Sequence, residues 1–192
     1  MTPPATDPTK RTRVVAAAAE VFLRYGFART TMGDIAAQAG MSRPALYLLF
    51  PGKEEVFAQV VRRLNAEQLD AIRARLPALP TLREKLLHAC LAWGAHGVEV
   101  VAAHPDARDL FDVSRPPVRE MYDAFEALVA ELVAPALEHS PLPLAPEGVG
   151  RGLAYAMRGF KDTAADVDDM RRLIAAEVEV VSAALSAPPT QR

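Results

Sequence analysis

The chain lacks most of what marks a secreted protein, a membrane protein or an enzyme. Its 192 residues include one cysteine, Cys90, so no internal disulfide can form. That removes the stapled extracellular scaffolds and fits a reducing, cytoplasmic compartment. Aromatic residues make up only 6% of the chain against 51% hydrophobic. The core must then be built from Ala, Leu and Val, which favours helices packed on helices over a β-sandwich. The opening stretch MTPPATDPTKRTR contains no apolar h-region and does not read as a secretory signal. No run of about 18 apolar residues is evident, so no membrane span is expected. H-E-x-x-H, the P-loop, G-x-G-x-x-G and G-x-S-x-G are all missing. His88 and His96 stand eight apart and can share a helix face, but no carboxylate lies at ligand spacing beside them. Cys90 has no neighbouring base in sequence. Neither catalysis nor a metal nor a cofactor is expected.

What the chain does have is a gradient of charge. The net charge of −2 argues, by itself, against nucleic acid. The distribution reverses that argument. Over residues 1–53, Lys10, Arg11, Arg13, Arg24, Arg29, Arg43 and Lys53 stand against Asp7, Glu20 and Asp34, a net of +4 that leaves −6 on the remainder. A basic head on an acidic body is the footprint of a module that meets phosphates at one end.

Periodicity and punctuation predict an all-α fold of about nine helices, with no convincing strand. Residues 1–8 hold three prolines and are expected to form a disordered arm. A head is expected over 9–53, a helical body over 54–186 and a flexible tail over 187–192. The first helix, over 9–25, carries Val14, Ala18, Val21, Phe22 and Tyr25 and ends at Gly26. Thr31 caps a second, with Met32, Ile35, Ala36 and Ala39 on one stripe and Gly40 as its end. Ser42 caps a third, with Pro44 just inside it. Helices follow from 53 to about 75, from the cap Thr81 onward, and over 105–111, 118–139, 146–160 and 166–185, with Pro135 ending or kinking the seventh.

Two short helices about a glycine-containing turn, with Arg43 near the start of the second, make a helix-turn-helix. In that motif the second helix enters the major groove and its first residues meet base edges, so duplex DNA is the expected partner. Arg43 can fork onto guanine O6 and N7; the alternative is a phosphate clamp. Pro44 and Ala45 are small and apolar and suit a thymine methyl. Thr31 and Ser42 can offer hydroxyls and helix N-terminal N–H groups to phosphates, a role compatible with plain capping. Lys53 begins a helix whose dipole opposes it, which points to a phosphate contact. Lys10, Arg11 and Arg13 add non-specific attraction. Phe22, Ile35, Leu46 and Phe50 are core by spacing.

The same segment carries a family resemblance. A helix of about 20 residues, then T-x-x-x-I-A-x-x-A-G-x-S, then L-Y-x-x-F-x-x-K-E, resembles the TetR family of bacterial transcriptional regulators. The matching residues are Thr31, Ile35, Ala36, Ala39, Gly40, Ser42, Leu46, Tyr47, Phe50, Lys53 and Glu54. Leu49 stands where the family often has His, and Pro44 where it often has Gly. The resemblance spans roughly residues 10–56; beyond them only length and helical character agree. It implies a helix-turn-helix DNA-binding domain followed by a helical ligand-binding and dimerisation domain, acting most simply as a ligand-responsive repressor. It also implies that Tyr47 gives its hydroxyl to a phosphate, against the plainer reading of a half-buried core tyrosine.

A regulator needs a sensor. The body offers Trp93, His88, His96, Phe111, Met121, Tyr122, Phe125, Tyr155, Met157 and Arg158, a set suited to a small, mostly apolar effector. Core packing accounts for most of them equally well. Ligand binding is expected to tilt the fourth helix and spread two recognition helices beyond the 34–36 Å or so of one DNA turn. Leu153, Met157 and Phe160 on the eighth helix, and Met170, Ile174, Val178 and Val181 on the ninth, lie at helical spacing. These stripes are either the body's own core or, as the resemblance suggests, a homodimer interface of paired helices. Gly148, Gly150, Gly152 and Gly159 suggest close helix approach. A constitutive dimeric repressor without an effector, a helical enzyme, and a partner-binding module remain as alternatives.

Overall fold

The computed structural model describes residues 8–186. The expected arm, up to residue 7, and the expected tail over 187–192 lie outside the described residues. The described residues form helices and no strand: α1 (Pro8–Arg29), α2 (Met32–Gln38), α3 (Arg43–Leu49), α4 (Lys53–Arg75), α5 (Leu82–Cys90), α6 (His96–Ala103), α7 (Pro116–Leu137), α8 (Pro146–Thr163) and α9 (Val167–Ser186). Short 3-10 turns occupy Leu76–Ala78 and Pro105–Phe111, and a π-helical turn, Leu91–Ala95, joins α5 to α6. The chain divides into two compact units. One takes residues up to 65 together with 100–119; the other takes 66–99 and the chain from 120 onward. The expectation drew a single cut after residue 53; the units instead interleave along the chain.

Each predicted cap forms. Thr31 Oγ1 accepts from Asp34 N at 3.2 Å while the Asp34 carboxylate accepts from Thr31 N at 2.9 Å, a reciprocal capping box. Thr81 and Glu84 repeat the arrangement at the start of α5. Ser42 Oγ accepts from Ala45 N at 3.3 Å, with Pro44 in the first turn of α3, where its missing N–H costs nothing.

In the first unit Val14, Ala18, Phe22, Ile35, Leu46, Phe50, Val56 and Phe57 are buried. Full burial stabilises each of the large side chains by about 1.5–3 kcal/mol. Phe22, Phe27 and Phe57 form an aromatic trio, with Phe27 and Phe57 edge-to-face at 4.9 Å. Gly26, predicted to end the first helix, does break it, at φ 73° and ψ 171°. A Cβ there would sit 2.3 Å from the Asp106 carbonyl oxygen. Because the helix breaks, the next two amides need other acceptors. Asp109 supplies them: its carboxylate accepts from Phe27 N and from Ala28 N, both at 2.8 Å. Arg29 pairs with Asp106, and the Arg115 guanidinium lies 3.9 Å from the Phe27 ring centroid.

In the second unit Leu86, Trp93, Phe125, Leu128, Val129, Leu153, Met157, Met170 and Ile174 form the core. Three sequence expectations change here. The helix expected over 105–111 is a 3-10 turn, and the sixth α-helix is instead His96–Ala103, continuing from α5 through the π turn. A π turn inserts one residue, so the apolar stripe slips partway along what the sequence reads as one helix from Thr81 onward. Within that turn the Ala92 carbonyl accepts from Gln68 Nε2 at 2.8 Å. Second, the continuous stretch Leu82–Ala103 contains an 18-residue window of mean hydropathy 1.3, long and apolar enough by composition to cross a membrane. No strictly apolar run marks it because His88, His96 and Glu99 interrupt it. It carries Leu86, Ala89, Cys90, Trp93 and Ala95 into the core. Third, only one of the four glycines of α8 lies in close approach: a Cβ on Gly150 would be 2.3 Å from the Glu126 carbonyl oxygen of α7, whereas Gly148, Gly152 and Gly159 face open space. Pro135 stays inside α7, two residues before its end.

Candidate nucleic-acid interface

The turn between α2 and α3 is set by Gly40, at φ 65°. Met41 N donates to Ala36 O at 3.0 Å and Gly40 N to Ala37 O at 3.1 Å, closing the last carbonyls of α2. α3 then packs inward through Leu46, with Phe50 as its buried C-cap residue. Its other face is open. Ser42, Arg43 and Pro44 are exposed at its start, and Ala45 is half-buried. Tyr47 is 47% exposed, a surface residue rather than a core one.

Thr31 is exposed on the same unit, at the start of α2. Its hydrogen bonds, helped by the Arg43 charge, hold the Asp34 carboxyl below its ordinary value. Gly33 neighbours Arg43: a Cβ there would lie 3.8 Å from Arg43 Cδ, an ordinary van der Waals contact. Lys53 is half-buried. Its ammonium donates to Phe27 O at 2.8 Å and Ala28 O at 3.3 Å, and lies 4.4 Å from the Phe27 ring centroid. Two of its three donors thus hold the corner between α1 and α2.

Sequence reasoning passed over Leu48. It is 85% exposed, the most open of the large apolar residues described. The signal was present: Leu48 falls opposite Leu46 and Phe50 on a 3.6-residue helix, so it cannot share their burial.

In the second unit four of the aromatic candidates gather. Trp93 and Phe125 stack with centroids 4.2 Å apart and planes 6° from parallel. Tyr122 meets Trp93 edge-on at 4.9 Å, and Tyr155 lies 6.0 Å from Tyr122. Burial pushes the Tyr122 hydroxyl up to about 12. Met157 is buried beside Gly94, where its Sδ would be 3.2 Å from a Cβ. His88 Nε2 is buried without a hydrogen-bond partner. The other candidates do not join this group: His96 is exposed, Met121 is half-buried, and Phe111 belongs to the first unit. Cys90 is fully buried and its thiol is pushed up to about 12, so no thiolate is available near neutral pH.

The stripes of α8 and α9 resolve into two faces. Leu153, Met157, Met170, Ile174 and Val178 are buried within their own unit, while Phe160 and Val181 are half-buried. Beside them runs an open, mostly apolar groove whose lining includes Leu144, Val149, Val180, Val181 and Ala184 with one carboxylate, Glu177, and Val180 is 66% exposed. The strongest 3.6-residue periodicity marks the face that packs on the chain itself, and the outward face lies next to it.

Comparison with known proteins agrees with this geometry. Residues 14–60 match the family model for bacterial regulatory proteins of the tetR family. The HTH-type transcriptional activator FasR of Mycolicibacterium smegmatis is 32% identical over 84 residues, a match that takes in 44% of this chain and 38% of that relative. The chain thus spans well under half the length of this curated relative. The crystal structure of FadR from Bacillus subtilis in complex with stearoyl-CoA superposes with a TM-score of 0.69 at 16% identity, covering 90% of this chain and 98% of that one. A transcriptional regulator from Saccharomonospora viridis in complex with choline gives a TM-score of 0.67 at 18% identity, covering 90% and 97%. Residues 14–60 thus carry the helix-turn-helix of the tetR-family model, with an open α3, and the helical body that follows has the fold of the solved transcriptional regulators it superposes on.

Proposed function

We propose that this chain works as a homodimer that binds an inverted-repeat operator through α3 and answers to a small, mostly apolar effector. The observation that carries the reading is the open face of α3. Arg43, Pro44, Tyr47 and Leu48 are exposed above a buried Leu46 and Phe50. Arg43 reads guanine, at about 1–3 kcal/mol of discrimination. Pro44, Ala45 and Leu48 meet apolar base edges, the thymine methyl above all. Tyr47, Thr31, Ser42 and the third donor of Lys53 reach phosphates. The groove of α8 and α9 takes the same groove of a second copy about a two-fold axis, supplying the second head that a palindrome requires. Repression is the simplest sense: an occupied operator excludes polymerase, and effector binding releases it.

The effector site centres on Trp93, Tyr122, Phe125, Tyr155 and Met157. The solved relatives with stearoyl-CoA and with choline support a ligand-holding body. One observation favours the rival without an effector. The Trp93–Phe125 stack is filled by its own side chains, being 7% and 0% exposed, so a ligand must part it or lie beside it.

The test is selection of random duplex DNA on the purified protein, followed by titration of the selected duplex with acyl-CoAs and choline. An enriched inverted repeat, with Arg43→Ala abolishing the preference, supports the DNA reading. Binding without enrichment that vanishes steeply as salt rises would reduce the head to a cation patch. A ligand that shifts operator affinity tenfold or more identifies a sensor, and indifference to every compound leaves the constitutive repressor.

A further inference from the structure

The last carbonyls of a helix have no partner within it and carry the negative end of its dipole. α3 has only seven residues, too few to be stable alone, so outside contacts fix its direction. Ser42 holds one end. At the other, Arg11 of α1 reaches across the unit: its Nη1 donates to the Leu49 carbonyl at 2.5 Å. The same guanidinium lies 4.2 Å from the ring centroid of Phe50, the buried residue that caps α3. One planar cation therefore grips the final carbonyl of α3 and the side chain that anchors it, which a guanidinium does well and an ammonium does poorly. Its neighbours differ. Lys10 and Arg13 are exposed, whereas Arg11 is half-buried.

We propose that Arg11 is a positioning residue for DNA recognition, setting the angle at which α3 presents Arg43 and Leu48 to base edges, and not a phosphate contact. The inference rests on the DNA-binding reading given above. It departs from the general phosphate attraction that the charge of residues 10–13 suggests.

The two roles separate in their dependence on salt and sequence. A lost phosphate contact weakens binding to all DNA alike and lowers the slope of log K against log salt by about one. A tilted recognition helix loses the preferred sequence and leaves the slope alone. The experiment compares wild type, Arg11→Ala, Arg11→Gln and Lys10→Ala on the selected operator and a scrambled duplex over a salt series. Arg11→Ala is expected to lose at least tenfold on the operator, to stay within twofold on scrambled DNA, and to keep the wild-type slope. Arg11→Gln keeps a donor for the Leu49 carbonyl without the charge and recovers part of the loss. Equal losses on both duplexes with a shallower slope would overturn the proposal, as would no change on either. Amide hydrogen exchange without DNA provides an independent reading. The α3 amides should exchange faster in Arg11→Ala than the α5 amides do, and uniform exchange would count against Arg11. If wild type prefers no sequence, the DNA reading fails by itself, and hydrogen exchange still judges what Arg11 does to α3. If Arg11→Ala does not fold, Arg11→Gln carries both measurements.

Discussion

Two glycines share a left-handed backbone and differ in what surrounds them, and the difference sets their cost to replace. Gly26, at φ 73° and ψ 171°, sits in a region open to glycine alone, and a Cβ would meet the Asp106 carbonyl oxygen at 2.3 Å. Gly40, at φ 65°, has nothing within 4 Å of a Cβ. Gly26→Ala is therefore expected to cost about 3 kcal/mol, because strain and collision add, and Gly40→Ala about 1 kcal/mol, because only strain remains. Urea denaturation of the two variants checks the order; equal losses would mean that the Asp106 backbone moves aside freely. Cys90 offers a second test at this scale. With its thiol buried and pushed up to about 12, it should resist a thiol reagent at pH 8 in the folded protein and react fully once unfolded. Rapid modification of folded protein would mean that the body opens around α5. Leu48 shows how a residue is legible and still missed: its spacing from Leu46 and Phe50 placed it outward, but a leucine invites the assumption of burial.

At the scale of elements, capping chemistry was readable because it is local. Thr31, Ser42 and Thr81 each announce a helix start within three residues, and each makes the expected bond. Two features were not readable. The π turn over Leu91–Ala95 leaves no signature beyond a slipped stripe, so the sequence reads as one helix from Thr81 onward what is α5 and α6 joined by that turn. The clamp of Asp109 on the amides of Phe27 and Ala28 joins groups more than 80 residues apart, which no local pattern reports. The capping box of α2 carries a pH dependence whose sign is fixed. Asp34 titrates below its ordinary 3.8, chiefly through the Thr31 hydrogen bonds, so its folded form favours the carboxylate. Its stabilisation is present above that ordinary value and disappears as the pH falls through the lowered folded one. Asp34→Asn should remove this component and flatten the stability curve at the acid end, as read by thermal melts from pH 6 to pH 2.5. A slope there identical to wild type would mean that the box contributes nothing to the native state.

For the whole molecule the question is what covers the groove of α8 and α9. Val180 is 66% exposed and Leu144 51%, and both line it with Gly148, Gly152 and Ala184. Small residues let a partner helix approach, and large apolar ones give it something to bury. A two-fold pairing satisfies both groups with one contact. If the pairing forms, a charge at its centre should undo it without unfolding the chain, because position 180 does not pack into the core. Val180→Asp is expected to sediment at the 20.7 kDa of one chain where wild type sediments at twice that. Its helicity should be unchanged, while its operator affinity drops by about 10²–10⁴, the range lost when two linked heads become one. A single half-site duplex provides the control, since one head meets one half-site and the substitution should not matter there. Wild type sedimenting as a single chain at micromolar concentration would show that this groove holds no second copy, and a variant that keeps full operator affinity would show that the two heads are joined elsewhere.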